Sequence, residues 1–234
     1  QKAILNYFQK APELEKILKA RKKDDLLKEL KDFSDIFKDI KMSFIVQKNP
    51  GGDGHAILQA GKNFKNEAVA NSFGDDVIFS DVPATLQLIN IFKTCNAPVV
   101  GLKRLPRNKI TAYGSVQAEK IANNLYKIKK IIEKPEPSQI SSDLVILGRH
   151  ILTPDVFEYL KKAKPSKKGE IVLAEVLAKM LDDGKTVYGY ELKGEWLECG
   201  DKLKWIKSFF YACLKDQRYK EELKQYIKTI EYGK

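Results

Sequence analysis

Glu67-Ala68-Val69-Ala70-Asn71-Ser72-Phe73-Gly74-Asp75-Asp76 carries the decisive pattern of this chain. Its first part reads as a strand. The glycine that follows opens a loop holding two consecutive acids, Asp75 and Asp76. In α/β sheets, ligands gather beyond the carboxyl ends of strands, where a carboxylate can hold a divalent ion against substrate phosphates. Asp-Asp after glycine is also ordinary turn and helix-cap chemistry. By themselves Phe73-Gly74-Asp75-Asp76 leave both readings open; the rest of the chain supplies the context.

Outward from this stretch, strand and helix alternate. Phe44-Ile45-Val46-Gln47 predicts a strand, residues 84–92 a helix, and Pro98-Val99-Val100-Gly101-Leu102 another strand. Residues 125–132, 143–147 and 187–192 add strands. Thr153-Pro154 marks a helix start, with Thr153 as N-cap and Pro154 in the first turn. Residues 170–181 make an amphipathic helix through Leu173, Val176, Leu177 and Met180. Such alternation predicts an α/β fold. Ahead of it, residues 12–37 read as packing helices, with Leu14, Ile17, Leu18 and then Leu26, Leu27, Leu30 and Phe33 at helical spacing. After Asp201 the chain turns helical again, and the stripe Trp205, Phe209 and Phe210 is expected in the core or in a subunit contact.

At 234 residues and 43% hydrophobic content, the chain is expected to form one domain over 1–234, with a helical C-terminal region at about 201–234. No stretch has the apolar length of a membrane span. The net charge of +11 invites a polyanion reading, but Lys22-Lys23 is followed at once by Asp24-Asp25, the mixture of a solvated helix face. No nucleic-acid or membrane partner is expected. Cys95, Cys199 and Cys213 are widely spaced, without a Cys-x-x-Cys pair, and read as reduced thiols. Gln1-Lys2-Ala3 does not begin a secretory signal, so a cytoplasmic protein is expected.

Further motifs follow in order. They are Gln47-Lys48-Asn49-Pro50-Gly51-Gly52-Asp53-Gly54-His55-Ala56, Tyr113-Gly114-Ser115-Val116, Ile131-Ile132-Glu133-Lys134-Pro135, Leu147-Gly148-Arg149-His150-Ile151-Leu152-Thr153-Pro154, Gly169-Glu170-Ile171 and Trp196-Leu197-Glu198-Cys199-Gly200-Asp201-Lys202-Leu203. In their order and spacing, over essentially its whole length, the chain resembles the bacterial and archaeal UDP-glucose pyrophosphorylases, the UTP-glucose-1-phosphate uridylyltransferases of the sugar-nucleotidyltransferase superfamily. The resemblance implies a three-layer, Rossmann-like nucleotidyltransferase fold with a mixed, mostly parallel central sheet. It implies uridylyl transfer from UTP to α-D-glucose 1-phosphate, giving UDP-glucose and pyrophosphate, with Mg²⁺ as cofactor. A homo-oligomer, dimer or tetramer, is expected.

That reaction needs no protein nucleophile. A phosphate oxygen attacks the α-phosphorus in line, and positioning and cations lower the barrier between two polyanions. By resemblance Asp75 is the catalytic metal-binding acid, with Asp76 supporting it or sharing the role. Glu198 stands where the family has aspartate as second metal ligand. Mg²⁺ tolerates little geometric error, so Asp201 is a substitute, and an exposed Glu/Lys pair is the alternative reading of Glu198. Glu133 and Lys134 resemble the sugar-phosphate clamp, the glutamate on sugar hydroxyls and the catalytic lysine on phosphate. Gln47 would read the base edge with the Gly52 backbone against the base, although Gly51 and Asp53 replace larger apolar residues of the family. An amide suits uracil and thymine equally. Gly114 allows close approach to the sugar, Glu170 borders the pocket, and His55 is read as structural.

The family opens with a strand and a glycine-rich loop that wraps the nucleotide phosphates. Gly51-Gly52-Asp53-Gly54 lacks the Lys-Ser/Thr that would let it substitute. The reading therefore expects about 50 residues or more of that kind ahead of Gln1, and expects residues 1–234 alone to be inactive. Other readings are the same chemistry with dTTP or another sugar 1-phosphate, a non-catalytic sugar-nucleotide-binding relative, and, from charge alone, a polyanion-binding protein.

Overall fold

The computed structural model describes residues 7–8, 11–64, 66–166 and 168–230. By its contacts the chain falls into two compact units, residues 1–46 and residues 47–234. In the first unit, α1 (Pro12–Ala20) starts on proline with Glu13 and Glu15 in its first turn, and α2 (Asp24–Phe37) starts with Asp24 and Asp25. Acids there complement the positive end of the helix dipole. Phe33 meets Tyr7 and Phe37 edge to face, at 4.9 and 5.1 Å between ring centroids. Neither helix contains a buried residue.

The second unit runs α3 (Asp53–Gly61), β1 (Val69–Ser72), β2 (Asp76–Phe79), α4 (Ala84–Cys95), β3 (Val99–Arg104), β4 (Gly114–Ala122), β5 (Leu125–Glu133) and β6 (Leu144–Leu152). It continues with α5 (Pro154–Lys162), α6 (Leu173–Asp182), β7 (Tyr188–Glu191), β8 (Glu195–Glu198), α7 (Lys202–Lys215) and α8 (Lys220–Thr229). Six strands form a mixed sheet in the order β1-β6-β3-β7-β5-β4, and β2 and β8 form a separate ribbon.

Strand β3 shows how the layers arise. Successive side chains of a strand face opposite ways. Accordingly Val100 and Leu102 join a core with Val156, Leu160, Leu173 and Leu177 of α5 and α6. Val99 instead packs with Ala84 and Leu88 of α4. The continuous apolar run that predicted this strand is the mark of a sheet covered on both faces.

The structure departs from the sequence reading in the direction of the strands, at one expected strand and at one helix cap. The parallel majority expected of the sheet is not found among the described residues: β3 and β7 run parallel, while β1–β6, β3–β6, β4–β5, β4–β6 and β5–β7 are antiparallel. β4 turns directly into β5 through Asn124 at φ 60°, and a hairpin can only pair its strands antiparallel. Phe44-Ile45-Val46-Gln47 forms no strand, and Phe44, Ile45 and Val46 are exposed. An apolar run becomes a strand only where a neighbour satisfies its backbone groups. Thr153 does precede α5 as its N-cap, but its hydroxyl donates to the Asp155 carboxylate instead of accepting from a backbone N–H.

Candidate active site

The acids lie where the chain leaves the large sheet for the ribbon. β1 ends opposite Arg149 of β6, Phe73 N–H donates to the Gly148 carbonyl at 2.8 Å, and by Asp76 the chain has joined β8 in register with Glu198. The Cys199 N–H donates to the Asp75 carbonyl at 2.7 Å. Two acids far apart in sequence are thereby brought to one point: a Cβ on Gly200 would stand 3.3 Å from Asp75 Oδ2 and 3.7 Å from Glu198 Oε1.

The acids are differently engaged. Asp76 Oδ1 accepts from Trp196 Nε1 at 2.6 Å and Oδ2 from the Gly148 N–H at 2.7 Å, tying the ribbon to the sheet. Burial raises its pKa while those two hydrogen bonds oppose the rise. Asp75 is exposed, and its carboxylate has no hydrogen bond among the described residues. Glu198 accepts from the Tyr113 hydroxyl at 2.5 Å on one oxygen and from Lys204 Nζ at 2.6 Å on the other. Asp201 caps α7, accepting from the Lys204 N–H at 2.9 Å. Among the described residues no group of three or more His, Cys, Asp or Glu side chains is arranged to hold a metal.

The β4–β5 hairpin builds the facing wall. Gly114 pairs with Glu133, and a Cβ there would come within 3.1 Å of Glu133 Oε2. The carboxyl of Glu133 is raised by burial; Lys134 opposes this and Asp53 adds to it. Lys134 takes the left-handed φ of 47°, its N–H donates to the Tyr113 carbonyl at 3.1 Å, and its Nζ lies 3.9 Å from Glu133 Oε1. A left-handed lysine is uncommon; here it turns the chain at the end of β5 and leaves the side chain 65% exposed.

A cavity of about 310 Å³ takes in Asp75, Gly114, Glu133, Lys134 and Glu198, with Asp76, Tyr113, Asp53 and His150 also on its wall. Asp53 and Tyr113 were given no role from sequence. Asp53 Oδ1 accepts from the Gly54 and Leu173 N–H groups at 2.7 and 3.1 Å, and burial raises its pKa. Its position in a Gly-x-Gly turn was the available signal. His150 is buried, with Nδ1 2.9 Å from Asn71 Nδ2, and burial together with Arg149 pushes its pKa down to about 3.

Gln47, Gly52 and Glu170 gather beside this cavity. Gly51 and Gly54 exchange backbone hydrogen bonds with Ile171 at 2.7 and 2.9 Å. Gly52 takes φ 91°, and a Cβ on it would lie 2.4 Å from the Ile171 oxygen and 3.1 Å from Glu170 Cβ. Gln47 Nε2 donates to the Gly52 carbonyl at 3.1 Å and lies 2.9 Å from His55 Nδ1, so His55 braces the turn.

A family model described as Nucleotidyl transferase matches residues 4–217. The chain is 35% identical over 230 residues to UTP–glucose-1-phosphate uridylyltransferase 1 of Staphylococcus saprophyticus, covering 98% of this chain and 79% of that protein. It is 34% identical to the UTP–glucose-1-phosphate uridylyltransferase of Staphylococcus haemolyticus, covering 98% and 78%. Among solved structures, a UTP-bound UGPase from Acinetobacter baumannii matches with a TM-score of 0.86 at 27% identity, over 98% of this chain and 79% of that one. A UDP-glucose pyrophosphorylase complexed with UDP-glucose matches with a TM-score of 0.79 at 28% identity, over 92% and 78%.

Proposed function

This chain belongs to the nucleotidyl transferase family, and we propose that it transfers a uridylyl group from UTP to α-D-glucose 1-phosphate, forming UDP-glucose and releasing pyrophosphate. The observation that carries this reading is the convergence of Asp75, Gly114, Glu133 and Lys134 on one cavity, beside the turn that joins Gln47, Gly52 and Glu170. Relatives named for this reaction support it.

Each group has work suited to its surroundings. Glu133, held from solvent next to Gly114, accepts hydrogen bonds from sugar hydroxyls. Lys134, whose ammonium is largely exposed, neutralises the sugar phosphate and lines it up for attack. Gln47 commits its NH₂ to Gly52 and His55, which leaves Oε1 to accept the imide N–H of the base. Asp75 and Glu198 present oxygens toward Gly200, a hard donor set that suits Mg²⁺. Asp75 would hold the ion together with substrate phosphates, with Glu198 as the second candidate. When bound, Mg²⁺ offsets the charge that builds on the phosphates. Three free thiols accord with a cytoplasmic setting, and no helix among the described residues is long and apolar enough to cross a membrane. The exposed aromatic face of α7 supports self-association as a homo-oligomer.

Pyrophosphate release by the complete gene product, measured with UTP or dTTP and several sugar 1-phosphates, tests the reading. The UTP and glucose 1-phosphate pair is expected to be fastest. Equal rates with dTTP, or preference for another sugar phosphate, would remove the specific assignment. Absence of release with every pair would favour a binding protein.

A further inference from the structure

Glu198 occupies the place of a second metal ligand, yet a cation already sits against it. Lys204 Nζ lies 2.6 Å from Glu198 Oε1, 3.5 Å from Asp201 Oδ2 and 3.3 Å from the Tyr113 hydroxyl, and 5.7 Å from the centre of the Tyr113 ring. Tyr113 closes the arrangement by donating to the other Glu198 oxygen at 2.5 Å. The backbone fixes these partners. Lys204 is in the first turn of α7, where its N–H is held by the Asp201 cap, and one turn later Ser208 donates to the Glu198 carbonyl at 2.8 Å. Tyr113 is steadied by Trp196 of β8, ring centroids 5.2 Å apart.

An exposed lysine–glutamate pair alone stabilises little. Its glutamate is on the cavity wall while Lys204 lines the adjoining cleft with Tyr113 and Trp196, and of the two carboxylates that face Gly200 the pair neutralises Glu198 and leaves Asp75 without a hydrogen bond among the described residues. A divalent ion bound at Glu198 Oε1 would share that oxygen with the ammonium 2.6 Å from it, at a separation where like charges repel strongly unless one leaves.

We propose that Lys204 is the resident cation of Glu198, a positioning residue that holds Glu198 and Tyr113 from behind the cavity wall and leaves Asp75 as the carboxylate available to a divalent ion. The inference rests on the uridylyl-transfer reading for its purpose: the free protein binds the ion weakly and acquires it with the nucleotide phosphates, while Lys204 supplies the second positive charge.

The test is Mn²⁺ titration of the protein without nucleotide, following the free-ion electron paramagnetic resonance signal. Lys204→Met and Lys204→Gln should each tighten Mn²⁺ binding by about tenfold or more, because ligand charge count sets affinity at oxygen sites. The gain should vanish in Lys204→Met/Glu198→Gln, and Lys204→Arg should restore the weak binding of the native chain. Glu198→Gln alone should leave Mn²⁺ affinity unchanged or improved. Lys204→Gln keeps a hydrogen-bond donor for Glu198 and Tyr113, so it serves if the methionine variant fails to fold. No gain in either variant, or loss of Mn²⁺ binding in Glu198→Gln, would overturn the proposal. If the native protein releases no pyrophosphate with any substrate pair, the uridylyl-transfer reading fails while the Mn²⁺ comparison still reads the role of Lys204.

Discussion

Asp75 and Asp76 are neighbours in sequence with different duties. Asp75 points its carboxylate into the cavity without a hydrogen-bond partner among the described residues, whereas Asp76 accepts from Trp196 and Gly148 and joins ribbon to sheet. Asp75→Asn should keep the fold and lower kcat by roughly a thousandfold or more, since it removes a charge from a site that must hold a cation. Asp76→Asn should act on stability, because one of two buried donors loses its acceptor; about 1–3 kcal/mol is expected from urea unfolding. Near-normal turnover in the Asp75 variant would return the pair to turn chemistry. The doublet was legible in the sequence, but the division of labour was not, since it depends on a tryptophan and a glycine far along the chain. His150 makes a separate, pH-dependent contribution. Its pKa falls from 6.5 to about 3 on folding, so below pH 6.5 the unfolded chain takes up a proton that the folded chain does not. Stability from this residue is therefore present above pH 6.5 and lost as pH falls toward 3. Asp53, Asp76 and Glu133, whose pKa values burial raises, work in the opposite sense by favouring proton uptake in the folded state. In His150→Gln the unfolding free energy should fall less steeply between pH 6.5 and 4, by up to about 3 kcal/mol over that window. Identical pH slopes would show that the imidazole is not held neutral.

At the scale of elements, the site depends on two junctions that no local pattern announces. One is the ribbon, where β2 begins on Asp76 and pairs with β8 so that Asp76 lies opposite Glu198. Neither segment was read as a strand. Each has four residues, too few for periodicity to show, and each was noticed only for its acid. The other is the Gly51–Gly54 turn, whose glycines were plain in the sequence but whose partner, Ile171, lies in a different motif. Gly52→Ala tests this junction. A methyl group would meet the Ile171 oxygen at 2.4 Å in a backbone of φ 91°. The strain should cost about 2 kcal/mol or more and displace Gln47 and Glu170 together. Because Asp75 and Lys134 lie on other elements, the KM for UTP should rise more than kcat falls. A variant with native melting temperature and native KM would mean that the turn neither constrains the fold nor contacts the base. The unpaired Phe44–Val46 run teaches the converse: strong β propensity forms no strand without an edge to receive it.

At the scale of the whole molecule, alternation of apolar runs was enough to announce an α/β core, because Val99, Val100 and Leu102 must be covered on both faces. It could not give strand direction, which is set by connections such as the Asn124 hairpin. It also left two places open for the aromatic stripe of α7, the core or a subunit contact. Trp205 and Phe209 stack at 5.6 Å between centroids and remain 52% and 59% exposed, with Ile206 and Phe210 exposed beside them. Burying such side chains is worth about 1.5–3 kcal/mol each, and contiguous apolar patches of this kind mark contact surfaces. If a second copy covers the face in solution, the native protein should sediment as a dimer or larger. Phe209→Asp, which places a charge at the centre of the patch, should shift it toward the single chain without lowering the melting temperature of the monomer. A native protein that sediments as one chain at micromolar concentration would refute self-association, and unchanged assembly in the aspartate variant would move the contact to another face.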